Sequence, residues 1–355
     1  MKEIKKVGIF INTPAQFHFY KNIINELKNN GIAAAVVYRD YGETKTLVEE
    51  GNRTYFEYSH KESSFLIKGI KVPMDIFRAC RYLKKEKVDL ITGFGLYDCI
   101  SSSLLGVPCI VFNDSEPYVN LVYSFYFKTS IKFADVVVTP NSFNQDLGPK
   151  QIRVNSPKET AYLHPKYFKP DKSILNMLHL DEKDCYAILR FNSFDAVHDT
   201  GITGFDNESK IELVRRLSPR MNVFISSEGN LDPSLLKYQI KIPKNRIHDA
   251  IYFASLVVAD TQTIATEAAI LGTPVIRYNA FVGANDMGIF NELEARRLLY
   301  NYNNKHQAID KAEEISIDCR KFKAEWVERS NQFSEENVSL TEYMCNLIMN
   351  YYKDT

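Results

Sequence analysis

Apolar, β-branched runs alternate along the chain with stretches of helical spacing. Val7–Ile11, Ala34–Val37, Val88–Ile91, Cys109–Phe112 and Val136–Thr139 read as buried strands in the first half. Tyr186–Phe191, Asn222–Ile225, Leu256–Ala259 and Pro274–Arg277 read the same way in the second. Helical patterns fall between them. In the first, Pro14 suits a helix start, Phe17, Tyr20, Ile24 and Leu27 recur at three and four residue steps, and Gly31 ends the pattern. Strand, helix, strand in succession implies a parallel sheet. The pattern lapses between Pro149 and Pro170, in "PKQIRVNSPKETAYLHPKYFKP", which places the interdomain connection there. The expected organisation is an α/β chain of two Rossmann-like domains, 1–160 and 161–332, whose parallel sheets face an interdomain cleft. A C-terminal segment, 333–355, carries an amphipathic helix from about Ser334 to Tyr351 that is expected to pack across the domains.

Composition narrows the function classes. Lys plus Arg equals Asp plus Glu at 44 each, so no global field favours a polyanion and no nucleic-acid partner is expected. Cys80, Cys99, Cys109, Cys185, Cys319 and Cys345 are scattered and form no CxxC pair, which suits reduced core thiols in the cytosol and no metal site. The apolar run before Asn12 and Pro14 is too short for a signal peptide or membrane span. "YVNLVYSFYFKTSIKFAD" sets Lys128 and Lys132 among Tyr and Phe. It is either a core helix with snorkelling lysines or a surface that rests on anionic lipid, so membrane contact is at most peripheral.

The two halves repeat a unit. "VDLITGFGLYDCISSSLLGVPCI" and "ASLVVADTQTIATEAAILGTPVI" share strand, turn, helix, LGxP and strand, with Gly106–Pro108 matching Gly272–Pro274. In this register Asp260 faces Phe94, Thr261 faces Gly95 and Glu267 faces Ser101. The LGxP is punctuation, since Gly ends a helix and Pro opens a strand. Glu267 is not explained by capping: with Thr263 as the cap it lies one position past the capping-box residue. It borders the Ile264, Ala268, Leu271 stripe, and a carboxylate there needs a partner: a ligand hydroxyl, Arg277 or a backbone amide. A helix opening at Thr261 to Ile264, at the C-terminal edge of a parallel sheet, offers free N–H groups to a diphosphate. Thr261 and Thr263 add hydroxyls, and Glu267 can accept from the vicinal hydroxyls of a ribose.

"DTQTIATEAAILGTP" resembles the D-S-G-G-x-x-E-E-A segment of non-hydrolysing UDP-N-acetylglucosamine 2-epimerases and, more loosely, the donor motif of GT-B glycosyltransferases. The chain also resembles an uncharacterised GT-B-like group, domain of unknown function family 354, through "NTPAQFHFYKNIINELKNNG", "AILRFNSFDAVHD", "FISSEGN" and "RIHDAIYFA". The resemblance implies a GT-B-like fold, ribose binding by Glu267, and Asp260, Thr261, Gln262 and Thr263 near the diphosphate. Gln262 and Thr263 replace the paired glycines of the epimerase motif.

Further candidates follow strand ends. "LRFNSFDAVHD" offers Arg190, Ser193, His198 and Asp199, with Arg190 suited to phosphate and His198 to an Asp-paired acid or base. "FISSEGN" offers Ser226, Ser227, Glu228 and Gly229 as donor-pocket residues, Gly229 suiting an unusual backbone turn. His248 and Asp249 open a helix, where Asp249 complements the dipole and the resemblance implies base recognition nearby. In the first half, Asn12, Thr13 and His18 follow the first strand on the acceptor side, with His18 either a base or a semi-core residue. Asp114 and Glu116 follow a later strand and resemble an epimerase acid position. Asp98 stands near a second such acid or is an N-terminal helix acid. Three functions are consistent with these residues. A UDP-sugar glycosyltransferase of surface-glycan biosynthesis would use a glycan or lipid-linked acceptor, a first-domain base (His18, Asp114 or Glu116), and no metal or cofactor besides its UDP-sugar substrate. A UDP-N-acetylglucosamine 2-epimerase would use Glu116, Asp98 and His198. The third is a nucleotide-sugar-binding protein without turnover.

Overall fold

The computed structural model describes residues 3–51, 54–60, 65–116, 121–192, 204–279, 282–283 and 286–354. The chain divides into two compact units, Met1–Tyr167 with Val338–Thr355, and Phe168–Asn337. Each is built on one parallel sheet.

In the first unit, β1 (Lys6–Ile11), β2 (Ala33–Asp40), β3 (Phe56–His60), β4 (Leu90–Gly93), β5 (Cys109–Phe112), β6 (Val136–Pro140) and β7 (Gln151–Val154) lie in the order β3-β2-β1-β4-β5-β6-β7. The second unit orders β8 (Tyr186–Phe191), β9 (Asn222–Ser227), β10 (Leu256–Ala259), β11 (Val275–Tyr278) and β12 (Tyr300–Tyr302) as β12-β11-β10-β8-β9. The central strands are buried along their length, with Arg277 the one charged residue in β4, β5, β10 and β11, as helices on both faces of a parallel sheet require. Both sheets reverse their strand order at an internal pair, β1/β4 in the first and β8/β10 in the second. Outside the C-terminal ends of such a pair, α/β sheets form a crevice.

The strands expected from the apolar runs are present, and β3, β7 and β12 are additional to them. These are edge strands of mixed polarity, "FEYSH", "QIRV" and "YNY", with no apolar run to announce them. β7 lies inside the stretch read as connection, because Pro149 and Pro157 flank it. The tail is two helices, Cys319–Glu336 and Leu340–Asp354, rather than one from Ser334 to Tyr351. Asn337 caps the first by donating from Nδ2 to the Phe333 carbonyl (2.6 Å). The second belongs to the first unit, where Thr341 Oγ1 donates to the Ala161 carbonyl (2.7 Å) and Cys345 Sγ to that of Ile23 (3.7 Å). Among the described residues no helix is long and apolar enough to cross a membrane.

The expectation of six reduced thiols is corrected. Cys80, Cys99, Cys109 and Cys345 are free and buried, but Cys185, just before β8, is disulfide-bonded to Cys319 at the start of its helix. A separation of 134 residues hides that pairing from any spacing rule.

The repeated unit is real in three dimensions. Gly106 and Gly272 both take left-handed backbone, φ 66° and 69°, each ending a nine-residue helix before the next strand. Their surroundings differ: a Cβ on Gly106 would meet nothing within 4 Å, whereas one on Gly272 would lie 3.1 Å from Val327 Cα in the Cys319–Glu336 helix.

Candidate functional site

In the second unit, Arg190 and Asp260 meet at the strand-order reversal. Ala259 is in register with Arg190, and Asp260 N donates to the Arg190 carbonyl (3.2 Å). Arg190 Nη1 donates to Ser226 Oγ (2.7 Å), Nη2 pairs with the Glu228 carboxylate, and Nε has no partner among the described residues. Three residues expected in the pocket are therefore one network, with β8 supplying the cation and β9 and the residue just after it the groups that orient it. Gly229 does not take the unusual turn expected of it: it is absent from the positive-φ residues, and its carbonyl accepts from Ser227 Oγ (3.0 Å). Ser193 and His198 lie outside the described residues.

Asp260 does something the sequence did not suggest. Oδ1 accepts from the Asn192 backbone N–H (2.7 Å) and Oδ2 from that of Phe205 (3.3 Å), so one side chain ties both ends of the segment between them. Burial pushes its carboxyl up to about 7, against the pull of those two N–H groups. Asn279 Nδ2 donates to the Asp260 carbonyl (3.2 Å).

The helix Gln262–Ile270 is capped by Thr261 and not, as expected, by Thr263. Thr261 has extended backbone (φ −97°, ψ 148°) and makes no side-chain cap bond, and its hydroxyl has no partner among the described residues. Gln262 and Thr263 form the first turn, and their carbonyls accept from Thr266 Oγ1 (3.4 and 2.8 Å). The N-terminal N–H groups of this helix thus start beside Asp260, at the sheet edge.

Six positions after the cap, about 9 Å along the axis, Glu267 is buried. Its Oε1 lies 3.0 Å from Nε2 of His248, also buried, on the helix Ile247–Phe253. Arg277, one of the three alternatives for its partner, is engaged elsewhere. Arg277 Nη1 donates to Asp286 Oδ2 (2.6 Å) and Asn301 Oδ1 (3.1 Å), and the guanidinium stacks 3.6 Å from the Phe290 ring centre. Asp249 is structural, accepting from Arg246 Nε (2.6 Å) and the Asp171 backbone N–H (2.9 Å).

In the first unit, Asn12 and Thr13 follow β1 and serve the helix Pro14–Asn29. Thr13 Oγ1 caps it by accepting from Gln16 N (3.3 Å), and Asn12 N donates to Gln16 Oε1 (2.7 Å). Asn12 Oδ1 accepts from the buried Tyr58 hydroxyl (2.5 Å). His18 is buried against Tyr162, ring centres 5.5 Å apart, which favours its semi-core reading. Asp98 is fully buried and accepts from Gly95 N (2.9 Å); burial raises its carboxyl to about 6. A Cβ at Gly93 would fall 2.5 Å from Asp98 Cγ, so the glycine makes room for this turn-closing acid.

The remaining acids gather after β5. Asp114 Oδ2 is salt-bridged to Lys158 Nζ (2.7 Å), which also lies 3.6 Å from the buried Glu159. Glu116 is buried and accepts from the Asn144 backbone N–H (3.4 Å). Lys158, Glu159 and Asn144 carry no local signal, because they follow β6 and β7 rather than β5, and β7, which leads to Lys158, has no apolar run to announce it. Among the described residues, two groups bring metal-type ligand atoms within 4.8 Å: Asp98, Cys99 and Cys109, and Asp40, Glu57 and His60. The first sits in an apolar cluster with Val111, Ala134 and Val137, the setting of core thiols. In the second, Lys45 and the Tyr38 hydroxyl already contact Glu57 (3.5 and 2.9 Å).

No protein-family model matches the chain, and no curated protein sequence matches it. Solved structures do. A Staphylococcus aureus MnaA structure with UDP matches with TM-score 0.69 at 12% identity, over 99% of this chain and 97% of that one. The UDP-GlcNAc 2-epimerase of Neisseria meningitidis, bound to UDP-GlcNAc, matches with TM-score 0.67 at 12% identity, over 99% and 100%. Acinetobacter baumannii MurG matches with TM-score 0.57 at 16% identity, over 97% and 99%. The two-unit, parallel-sheet α/β fold is therefore the GT-B-like fold of these proteins.

Proposed function

We propose that this chain is a GT-B-type glycosyltransferase that takes a sugar from a UDP-sugar and passes it to a glycan or lipid-linked acceptor in surface-glycan biosynthesis. The observation that carries the reading is Glu267, a buried carboxylate held by His248 and set about 9 Å into a helix that opens at a strand-order reversal. The helix N-terminus seats the diphosphate, and Glu267 accepts from the ribose hydroxyls. Arg190, oriented by Ser226 and Glu228, neutralises the negative charge that develops on the departing UDP. These groups do the work that a divalent ion does in other transferases, so transfer proceeds without a metal. Asp114, held by Lys158 Nζ at 2.7 Å, takes the proton of the acceptor hydroxyl as that oxygen attacks the anomeric carbon and UDP departs.

A second reading is a UDP-N-acetylglucosamine 2-epimerase. It is favoured by Asp114 and Glu159 meeting at one lysine, Lys158, with Glu116 two residues after Asp114, a set of acids that suits removal and return of a proton at C2. The match to a UDP-GlcNAc 2-epimerase bound to UDP-GlcNAc supports a UDP-sugar ligand in either reading. A thermal-shift panel of UDP, other nucleoside diphosphates and their sugars, repeated with Glu267→Ala, tests the shared donor site; no stabilisation by any nucleotide would sink both. Incubation with UDP-N-acetylglucosamine in heavy water then separates them, since deuterium entering C2 without an acceptor means epimerisation.

A further inference from the structure

Glu267 has three side-chain torsions, and burying its charge is unfavourable unless a donor meets it. The donor comes from another helix. His248 Nε2 lies 3.0 Å from Glu267 Oε1, with the two side chains only 5% and 3% exposed. A carboxylate can only accept, so Nε2 carries the hydrogen and the pair sets the imidazole tautomer. His248 is itself held in place. Its ring meets the edge of Phe168 at 6.4 Å, and its helix is anchored by Arg246, which donates to Asp249 Oδ2 (2.6 Å) and to Ser173 Oγ (3.1 Å).

We propose that His248 is the positioning residue for ribose recognition, holding one oxygen of Glu267 so that the carboxylate faces the 2′- and 3′-hydroxyls together. The proposal rests on the nucleotide-sugar reading and adds a selectivity to it: the second unit discriminates ribonucleotides from 2′-deoxyribonucleotides through a two-residue device. Losing the hydrogen bond between the 2′-hydroxyl and a well-placed carboxylate weakens binding about tenfold or more. A carboxylate released from His248 rotates among its rotamers and loses most of that preference.

Calorimetric titration of the full chain with UDP and 2′-deoxy-UDP provides the test. Wild type is expected to prefer UDP by about tenfold or more. His248→Phe keeps the ring and loses the donor, and the preference should fall to within about twofold of parity. His248→Gln, which retains a donor nitrogen, should recover most of it, a rescue that a purely structural role would not produce. If His248→Phe fails to fold by circular dichroism, His248→Asn takes its place, its amide being too short to reach Oε1. An unchanged preference in the donor-less variant overturns the proposal, as does a wild type that binds both nucleotides equally. A wild type that binds neither overturns the donor-site reading itself, and so distinguishes the two failures.

Discussion

The Cys185–Cys319 disulfide offers a quantitative test of the second unit. It joins the residue before β8, which carries Arg190 at its far end, to the helix that covers the sheet through Trp326 and Ser330. Trp326 Nε1 donates to the Leu298 carbonyl (2.7 Å) and Ser330 Oγ to that of Ile270 (2.5 Å), so this helix braces the Gln262–Ile270 helix from behind. The bond closes a loop of 134 residues. Chain entropy for a loop of that length, −2.1 − 1.5R ln n, comes to about −17 cal/mol/K, or about 5 kcal/mol at 25 °C, with measured values typically about 2–4. The double variant Cys185→Ser, Cys319→Ser should therefore lose about 2–5 kcal/mol of stability in urea unfolding. Reductant should reproduce the loss in wild type and leave the double variant unchanged. Thiol titration of the denatured, unreduced protein should count four groups, rising to six after reduction. Six thiols before reduction, or urea midpoints that coincide with and without reductant, would refute the reasoning.

Asp260 makes stability depend on pH. Its native carboxyl is raised to about 7, above the ordinary value, so its contribution is complete below about pH 4 and is lost as pH rises through 7, on the order of 4 kcal/mol in all. Asp260→Asn should flatten that slope in urea midpoints taken from pH 4 to 8, and an identical slope in the variant would assign it to another group. Asp114→Asn should lower kcat of sugar transfer by about 10²–10⁴-fold while UDP affinity, read by calorimetry, stays put; a parallel loss of UDP binding would contradict its role as base. Gly106→Ala should cost only the left-handed backbone penalty of about 1–2 kcal/mol. Gly272→Ala should cost visibly more, because its Cβ also meets the Val327 backbone at 3.1 Å; equal losses in denaturant midpoints would mean that the helix shifts freely.

Much of the architecture was legible in the chain because a buried parallel strand must be apolar throughout. β5 and β10 carry that signal alone and β8 does so but for Arg190, and their bounds agree with the runs Cys109–Phe112, Leu256–Ala259 and Tyr186–Phe191. Edge strands such as β7 carry no such signal, since half their side chains meet solvent. The LGxP repeat was equally readable, because left-handed backbone at Gly106 and Gly272 is a local demand met by one residue type.

The candidate site divides along the same line. Sequence alone determined that Asp260, Thr261 and Glu267 break the pattern of a scaffold unit, since packing gives no reason for acids and hydroxyls there. Tertiary structure decided what each one touches. Asp260 ties the Asn192 and Phe205 backbones, Glu267 meets His248 rather than Arg277, and Asp114 meets Lys158. Those partners lie on another helix or in loops after other strands, 19 to 68 positions away in the cases of Glu267 and Asp260. A spacing rule sees only neighbours on one element, whereas a parallel sheet brings distant strand ends to a single edge. The residue types that can bear charge in the interior are therefore visible in the chain, while the pairing that makes their burial tolerable exists only once the sheet order is set.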